Sequence, residues 1–302
     1  MMITEKVCAM NILLADDGSE HSQAAVTMLG DLPLSETSQI MALRVFTPAS
    51  TGEVWGLEDA LKLTRAALEK QGKNVESHLA LGHPAEEIVK TAQQRNSDLI
   101  VMGAKGLRAT LGILLGGVAQ QVVEHADRPV LVIRAPYTGI KRVLLAIDGS
   151  PQSQDMISCI SKFPLPDGVE IHILHVAPPL VSAESAANYW IVGADTPTYF
   201  SLSEIQEKLE KQTQQEELMG QKILANATEI LLHDAGIESK SSLLRGDAAT
   251  EIIQYVKDNQ IDLVVSGGRG LSRIRSWLLG SVSRKLLHYA PCSVMVVKGK
   301  PD

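Results

Sequence analysis

Short, mostly apolar runs alternate with amphipathic stretches along the whole chain. Strand-like runs fall at 12–15, 40–45, 75–79, 99–102 and 130–133, and again at 143–147, 171–176, 241–244, 263–266 and 294–297. Between the first five lie stretches of helical periodicity at 23–29, 57–70, 85–95 and 118–125. Pro84 suits a first helical position and Gly72 a helix stop. Runs of Val, Ile and Leu without polar alternation are the mark of strands buried on both faces. Their alternation with helices predicts a parallel sheet covered by helices on each side.

The two sets of five runs are copies of one another. Asn11-Ile-Leu-Leu-Ala-Asp-Asp17-Gly18-Ser19 matches Arg142-Val-Leu-Leu-Ala-Ile-Asp148-Gly149-Ser150 at an offset of 131. Gly82-His-Pro-Ala-Glu-Glu-Ile-Val matches Gly246-Asp-Ala-Ala-Thr-Glu-Ile-Ile at an offset of 164, and so does Asp98-Leu-Ile-Val-Met-Gly103 with Asp262-Leu-Val-Val-Ser-Gly267. Two domains are therefore expected, at 8–135 and 140–299, joined where Pro136 and Gly139 mark a linker. The 33 residues separating the offsets place an insertion in the second copy, at about 180–205, with a helix lengthened to about 233. That helix carries apolar residues at 205, 209, 219, 223, 224, 227, 230 and 231, and either Ser201 with Glu204 or Ser203 with Gln206 can form its capping box. The segment 181–200 concentrates Tyr189, Trp190, Tyr199 and Phe200, which suits either packing or a lid over a ligand.

Composition narrows the function classes. Among the 302 residues, 45% are hydrophobic and 21% charged, as in a globular protein with a full core. A net charge of −7 argues against nucleic acid as a partner, since a polyanion needs a basic footprint. Cys8, Cys159 and Cys292 are odd in number and lack metal-ligand spacing. With no signal-peptide pattern and no 18-residue apolar run, they point to a cytoplasmic protein without a membrane span or structural metal.

The chemistry collects where the strands end. In open parallel sheets, ligands sit beyond the carboxyl ends of the strands, at the point where strand order reverses. Asp17 and Asp148 end the first run of each copy, and Val45 and Val176 end the second. After the fourth run of copy two come Gly267 and Gly270, a basic loop, and the pair Gly280-Ser281 at a helix start. Glycines allow close approach of backbone N–H groups to an anion, and a helix N-terminus adds unpaired donors, so the segment reads as a phosphate cradle. A carboxylate at the end of strand one suits ribose hydroxyls. An Asp-Gly-Ser also reads as a plain turn with a helix cap, but its recurrence ahead of matched glycine loops favours a ligand.

Gly267-x2-Gly270-x9-Gly280-Ser281, behind Val143-Leu-Leu-Ala-Ile-Asp148-Gly149-Ser150, resembles the nucleotide-binding signature of the universal stress protein family. The resemblance covers nearly the whole chain as two tandem domains. It implies an α/β fold of two doubly wound five-stranded parallel sheets, Rossmann-like and similar to adenine nucleotide alpha hydrolases. It also implies ATP as the ligand, with or without magnesium. Adenine and ribose would lie near the strand-one Asp and the end of strand two, and the triphosphate against the glycine segment. By position, copy two offers Asp148, Val176, Gly267, Arg269, Gly270, Gly280, Ser281 and Val282. Copy one offers Asp17, Val45, Gly103, Gly106, Gly116 and Gly117, the last standing where the pattern has Ser or Thr. A hydrogen bond to a charged group contributes about 1.5–3 kcal/mol, or roughly ten- to a hundredfold in affinity. Copy two is thus expected to be the stronger site and copy one weak or empty. Arg269, Arg273 and Arg275 in the second loop, against Lys105 and Arg108 in the first, point the same way.

No Gly-x4-Gly-Lys-Ser/Thr loop and no Gly-x-Ser-x-Gly elbow occurs, and no nucleophile–base set can be picked out, so no catalytic residue is assigned. Ser266-Gly-Gly is similar to the opening of the pyrophosphatase loop of related adenine-binding enzymes, but it follows the wrong strand and continues Arg-Gly. His172 and His175 are expected to pack or face solvent rather than bind metal. The last strand of each copy is apolar throughout and would be sticky unless paired. The resemblance implies pairing of the two copies through these strands, with a homodimer beyond. The expected function is ATP binding that regulates a stress response, the alternatives being a slow ATP hydrolase or a scaffold with vestigial sites.

Overall fold

The computed structural model describes residues 9–47, 54–106, 115–182, 201–268 and 279–298. Copy one comprises β1 (Asn11–Ala15), α1 (Glu20–Asp31), β2 (Gln39–Phe46), α2 (Val54–Glu69), β3 (Val75–Leu81), α3 (Pro84–Gln94), β4 (Leu99–Gly103), α4 (Gly117–His125) and β5 (Val130–Ile133). Copy two comprises β6 (Arg142–Ile147), α5 (Pro151–Lys162), β7 (Glu170–Ala177), α6 (Leu202–Ala235), β8 (Ser239–Arg245), α7 (Ala248–Asp258), β9 (Leu263–Gly267), α8 (Ser281–Tyr289) and β10 (Ser293–Val297). Among the described residues these strands form one sheet, in the order β3-β2-β1-β4-β5-β10-β9-β6-β7-β8. Each half is parallel and reverses direction of travel at its first strand, as a doubly wound sheet does.

The halves meet at one antiparallel seam, where Val294, Met295 and Val296 of β10 pair with Val132, Leu131 and Val130 of β5. The two apolar strands that would have been exposed edges thus cover each other. Because the seam is antiparallel while each half is parallel, the carboxyl ends of β1 and β4 lie at the opposite edge of the sheet from those of β6 and β9. The outermost strand β8 is more polar than the rest and only partly buried, which is why its apolar run, 241–244, understates its length.

Side-chain alternation builds a core on each face. Ile12 and Leu14 of β1 join one layer, with residues of α1, α2, α5 and α6, while Leu13 joins the other, with residues of α3, α4, α7 and α8. Leu131 and Met295, fully buried at the seam, belong to the first layer and so make the two copies one core. The helix ends follow local chemistry. At α6 the pair Ser201 and Glu204 forms the capping box, and Gly236 closes the helix at φ +65°. Across the seam the copies exchange caps. The Arg134 guanidinium donates to Leu287 O at the end of α8, and Lys298 Nζ donates to Glu124 O at the end of α4. These two residues occupy equivalent positions after β5 and β10. Cations at helix C-termini complement the partial negative charge there. No described helix is long and apolar enough to cross a membrane.

Candidate functional site

Each copy has a cleft beyond the carboxyl ends of its strands. The cleft of copy two has a volume of 330 Å³ and is walled by Ala146, Leu174, Val176 and Ile252. Asp148, Ser150 and Ser153 stand on one side, and Ser266, Gly267 and the start of α8, from Gly280 to Ser283, on the other. Gly149 takes φ +78°, which lets the chain turn from β6 into α5 within three residues. The turn aims Asp148, whose Oδ1 accepts hydrogen bonds from Ser150 N and Ser153 Oγ, both at 3.0 Å. Gly280 N donates to Gly268 O at 2.8 Å, closing the loop so that α8 starts at the cleft. Its N-cap is Gly280, and no side chain among the described residues caps that start. Its first amides are therefore donors that a bound anion can use. Behind them, the buried Ser266 and Ser283 hydroxyls lie 3.0 Å apart.

The cleft of copy one has a volume of 370 Å³ and the same plan. Gly116 N donates to Ala104 O at 2.8 Å, and α4 begins with no side-chain cap among the described residues, lining the cleft with Gly117, Val118 and Ala119. Packing requires Gly103 here: a Cβ on it would lie 2.8 Å from the backbone of His21 and Ser22 in α1. Asp17 Oδ1 accepts from Ser19 N, and a Cβ on Gly106 would lie 2.6 Å from Asp17 Oδ2. The Asp17 carboxylate therefore packs directly against the glycine loop.

Below this turn lies a group of residues that the sequence reading missed. Asp16, 4% exposed, forms a buried ion pair with Arg44 of β2 at 2.7 Å. Ser22 Oγ of α1, Thr64 Oγ1 of α2 and Gly18 N also donate to its carboxylate. Burial pushes the Asp16 carboxyl up, but the Ser22 bond, the Arg44 charge and the Thr64 bond together hold it below the usual carboxylate range. The signal was present: Arg44 is a lone charge within an apolar strand, and Asp16 a second acid beside Asp17. At equivalent positions copy two has Ile147 and His175, and His175 Nδ1 lies 2.9 Å from Ile147 O. Thr228, equivalent to Thr64, keeps a buried hydroxyl with no hydrogen-bond partner.

Of the residues singled out by the sequence, Asp148, Val176, Gly267, Gly280, Ser281 and Val282 line one cleft, and Asp17, Val45, Gly103, Gly106, Gly116 and Gly117 the other. Arg108, Arg269, Gly270, Arg273, Arg275 and the aromatic segment 183–200 lie outside the described residues. Among the described residues no cluster of metal-ligating side chains occurs. His172 is buried, with Nδ1 2.9 Å from the Tyr255 hydroxyl.

Known proteins give a consistent family. The universal stress protein family matches twice, over residues 9–134 and 139–298. A universal stress protein of Mycolicibacterium smegmatis is 27% identical over 307 residues, covering 95% of this chain and 96% of its own. Universal stress protein YxiE of Bacillus subtilis is 30% identical over 157 residues, 52% of this chain and 98% of its own. Among solved structures, a universal stress protein from Archaeoglobus fulgidus has the same fold, with a TM-score of 0.64 and 22% identity over 97% of both chains. The first relative shares the tandem length and the second is about one copy long, which agrees with the internal repeat. The chain belongs to the universal stress protein family, as two tandem copies of its domain joined through one continuous sheet.

Proposed function

We propose that this chain is an adenine-nucleotide-binding regulatory protein of the stress response, with ATP held in the cleft of copy two. One observation carries the reading: Asp148, the end of β7 at Val176, Gly267 and the uncapped start of α8 at Gly280-Ser281-Val282 converge on one 330 Å³ cleft. The apolar walls suit a purine ring, the carboxylate a ribose, and the free amides with the Ser281 hydroxyl a phosphate. Magnesium enters this reading as a counter-ion brought by the phosphates. Binding at the point where β6, β7 and β9 meet α8 tightens elements that otherwise end in loops, which is how occupancy would be read by a partner. The same reading places the protein in the cytoplasm, with small nucleotides rather than nucleic acid as ligands and homodimerisation through surfaces beyond the seam.

Calorimetric titration of the full chain with ATP tests it. One strong site per chain is expected, weakened about ten- to a hundredfold by Ser281→Ala, the loss of one hydrogen bond to a charged group. Two equal sites, or no change in Ser281→Ala, would refute the assignment. Phosphate release over hours by wild type and not by Ser281→Ala would instead favour a slow hydrolase.

A further inference from the structure

The two clefts share a plan but not a floor. Where copy two presents Ser266, Ser281 and Ser283, copy one presents Met102, Gly117 and Ala119 at the equivalent positions. The Ser281 hydroxyl at the helix start and the buried Ser266–Ser283 pair behind it are thus replaced by a hydrogen, a thioether and a methyl group in the other cleft. Met102 and Ala119 line this cleft with little exposure, so its floor is apolar and closely packed.

The charges differ as well. In copy one the lining carries Asp16, Asp17 and Lys105. Among the described lining residues, Arg44 neutralises Asp16 and the Lys105 charge is set against that of Asp17, so those residues carry no net positive charge toward an anion. The Asp17 carboxylate itself lies against Gly106, in the loop whose amides would otherwise cradle a phosphate. Against the described lining, a polyphosphate entering here would lose its hydration, meet the Asp17 carboxylate close to the loop, and find no hydroxyl at Gly117 or Ala119. A ligand without phosphate pays none of these costs. It would still find what the two clefts have in common: apolar walls from Leu43, Val45 and Ile88 for a flat ring, and a carboxylate at the end of strand one for sugar hydroxyls.

We propose that the cleft of copy one is a site for an uncharged nucleoside, a purine ring with its ribose and no phosphate, and not a weakened duplicate of the copy-two site. The assignment rests on the same reading of these carboxyl-end clefts as ligand sites. A chain built this way holds a phosphorylated and an unphosphorylated form of one ligand class at opposite edges of one sheet. It thereby responds to their ratio.

Adenosine and ATP are the probes, used on the full chain with methyl-13C methionine labelling. The Met102 methyl group is the reporter at the floor of copy one, assigned through Met102→Leu. Adenosine is expected to shift that resonance and to bind there at least about tenfold more tightly than ATP, the effect of one lost hydrogen bond to a charged group. Val176→Trp, which fills the other cleft, should remove ATP binding and leave the adenosine shift at Met102 intact. Met102→Ser with Gly117→Ser and Ala119→Ser should create a second ATP site, with folding checked by circular dichroism. A Met102 resonance unmoved at millimolar adenosine, adenosine binding lost with Val176→Trp, or ATP binding at copy one as tightly as adenosine would each overturn the proposal. If ATP binds nowhere while adenosine still shifts Met102, the nucleotide reading of copy two fails and the nucleoside assignment stands.

Discussion

Arg44→Met isolates the buried ion pair beneath the copy-one cleft. The Arg44 side chain is 7% exposed and that of Asp16 2%, so neither charge can turn to water when its partner is lost. Removing one partner of a buried pair costs about 3–5 kcal/mol, because a carboxylate is left in the interior without compensation. Ser22, Thr64 and Gly18 continue to donate to Asp16, which puts the expected loss at the lower end of that range. Copy two supplies the control, since it holds the same turn with Ile147 and His175. Asp16→Ile with Arg44→His should therefore be more stable than Arg44→Met alone. It orphans the Thr64 hydroxyl as Thr228 is orphaned, at about 1–3 kcal/mol, and Thr64→Val on that background should recover most of the deficit. The pH dependence has a definite sign. A carboxyl whose folded pKa lies below its unfolded value stabilises the fold above the unfolded value, near 4 for Asp, and this is lost as pH falls through the folded value. The double variant should lose that part of its acid sensitivity. Urea denaturation followed by circular dichroism at pH 7 and across pH 5–2 measures both effects. An Arg44→Met protein within about 1 kcal/mol of wild type, or a double variant less stable than the single one, would refute the reasoning.

Further outcomes follow from single residues. Gly149→Ala forces a Cβ at φ +78° to within 2.6 Å of Ile223 Cδ1 in α6, so a loss of about 1–3 kcal/mol and weaker ATP binding are expected in denaturation and titration. Arg134→Ala removes the cap on α8 and should lower stability by about 1–3 kcal/mol while leaving ATP affinity within twofold, because the cap sits at the far end of the helix from the cleft; a tenfold loss of affinity with unchanged melting would contradict this. Burial pushes the Cys159 and Cys292 thiols up to about 11 and about 12, so neither should react with a thiol reagent at pH 8 unless the protein is unfolded. Labelling of either site at the rate of a free cysteine would show that the core around it opens.

The sheet and its duplication were legible because parallel strands buried on both faces leave apolar runs, and the four inner strands of each copy show them. Strand β8 was the least legible, since an edge strand keeps polar residues such as Lys240 and Ser242. Part of the lining of both clefts could be named because Asp-Gly-Ser, with Gly-Gly in one copy and Gly-Ser in the other, marks chain reversals at fixed distances from the runs. What could not be read was the third dimension beneath those reversals. Asp16, Arg44 and Thr64 come from three different elements, and only the packing of α2 on β2 brings them together. Likewise Ser266 and Ser283 look unremarkable at 17 residues' separation, and become a hydroxyl pair only when α8 starts against the end of β9.

The seam explains how the two copies can differ in this way. Antiparallel pairing of β5 with β10 sets the two parallel halves head to tail and turns their carboxyl ends to opposite edges, so no residue needs to serve both clefts. Substitutions such as Met102 for Ser266, or the Asp16–Arg44 pair for Ile147 and His175, therefore alter one site without a cost at the other. What the copies must keep in common lies at the seam. Leu131 and Met295 share one core, and Arg134 and Lys298 each close the last helix of the opposite copy. Each of those helices starts at its own cleft and ends under the hand of the other copy. Stability is thus held jointly, while ligand chemistry is set separately at each edge.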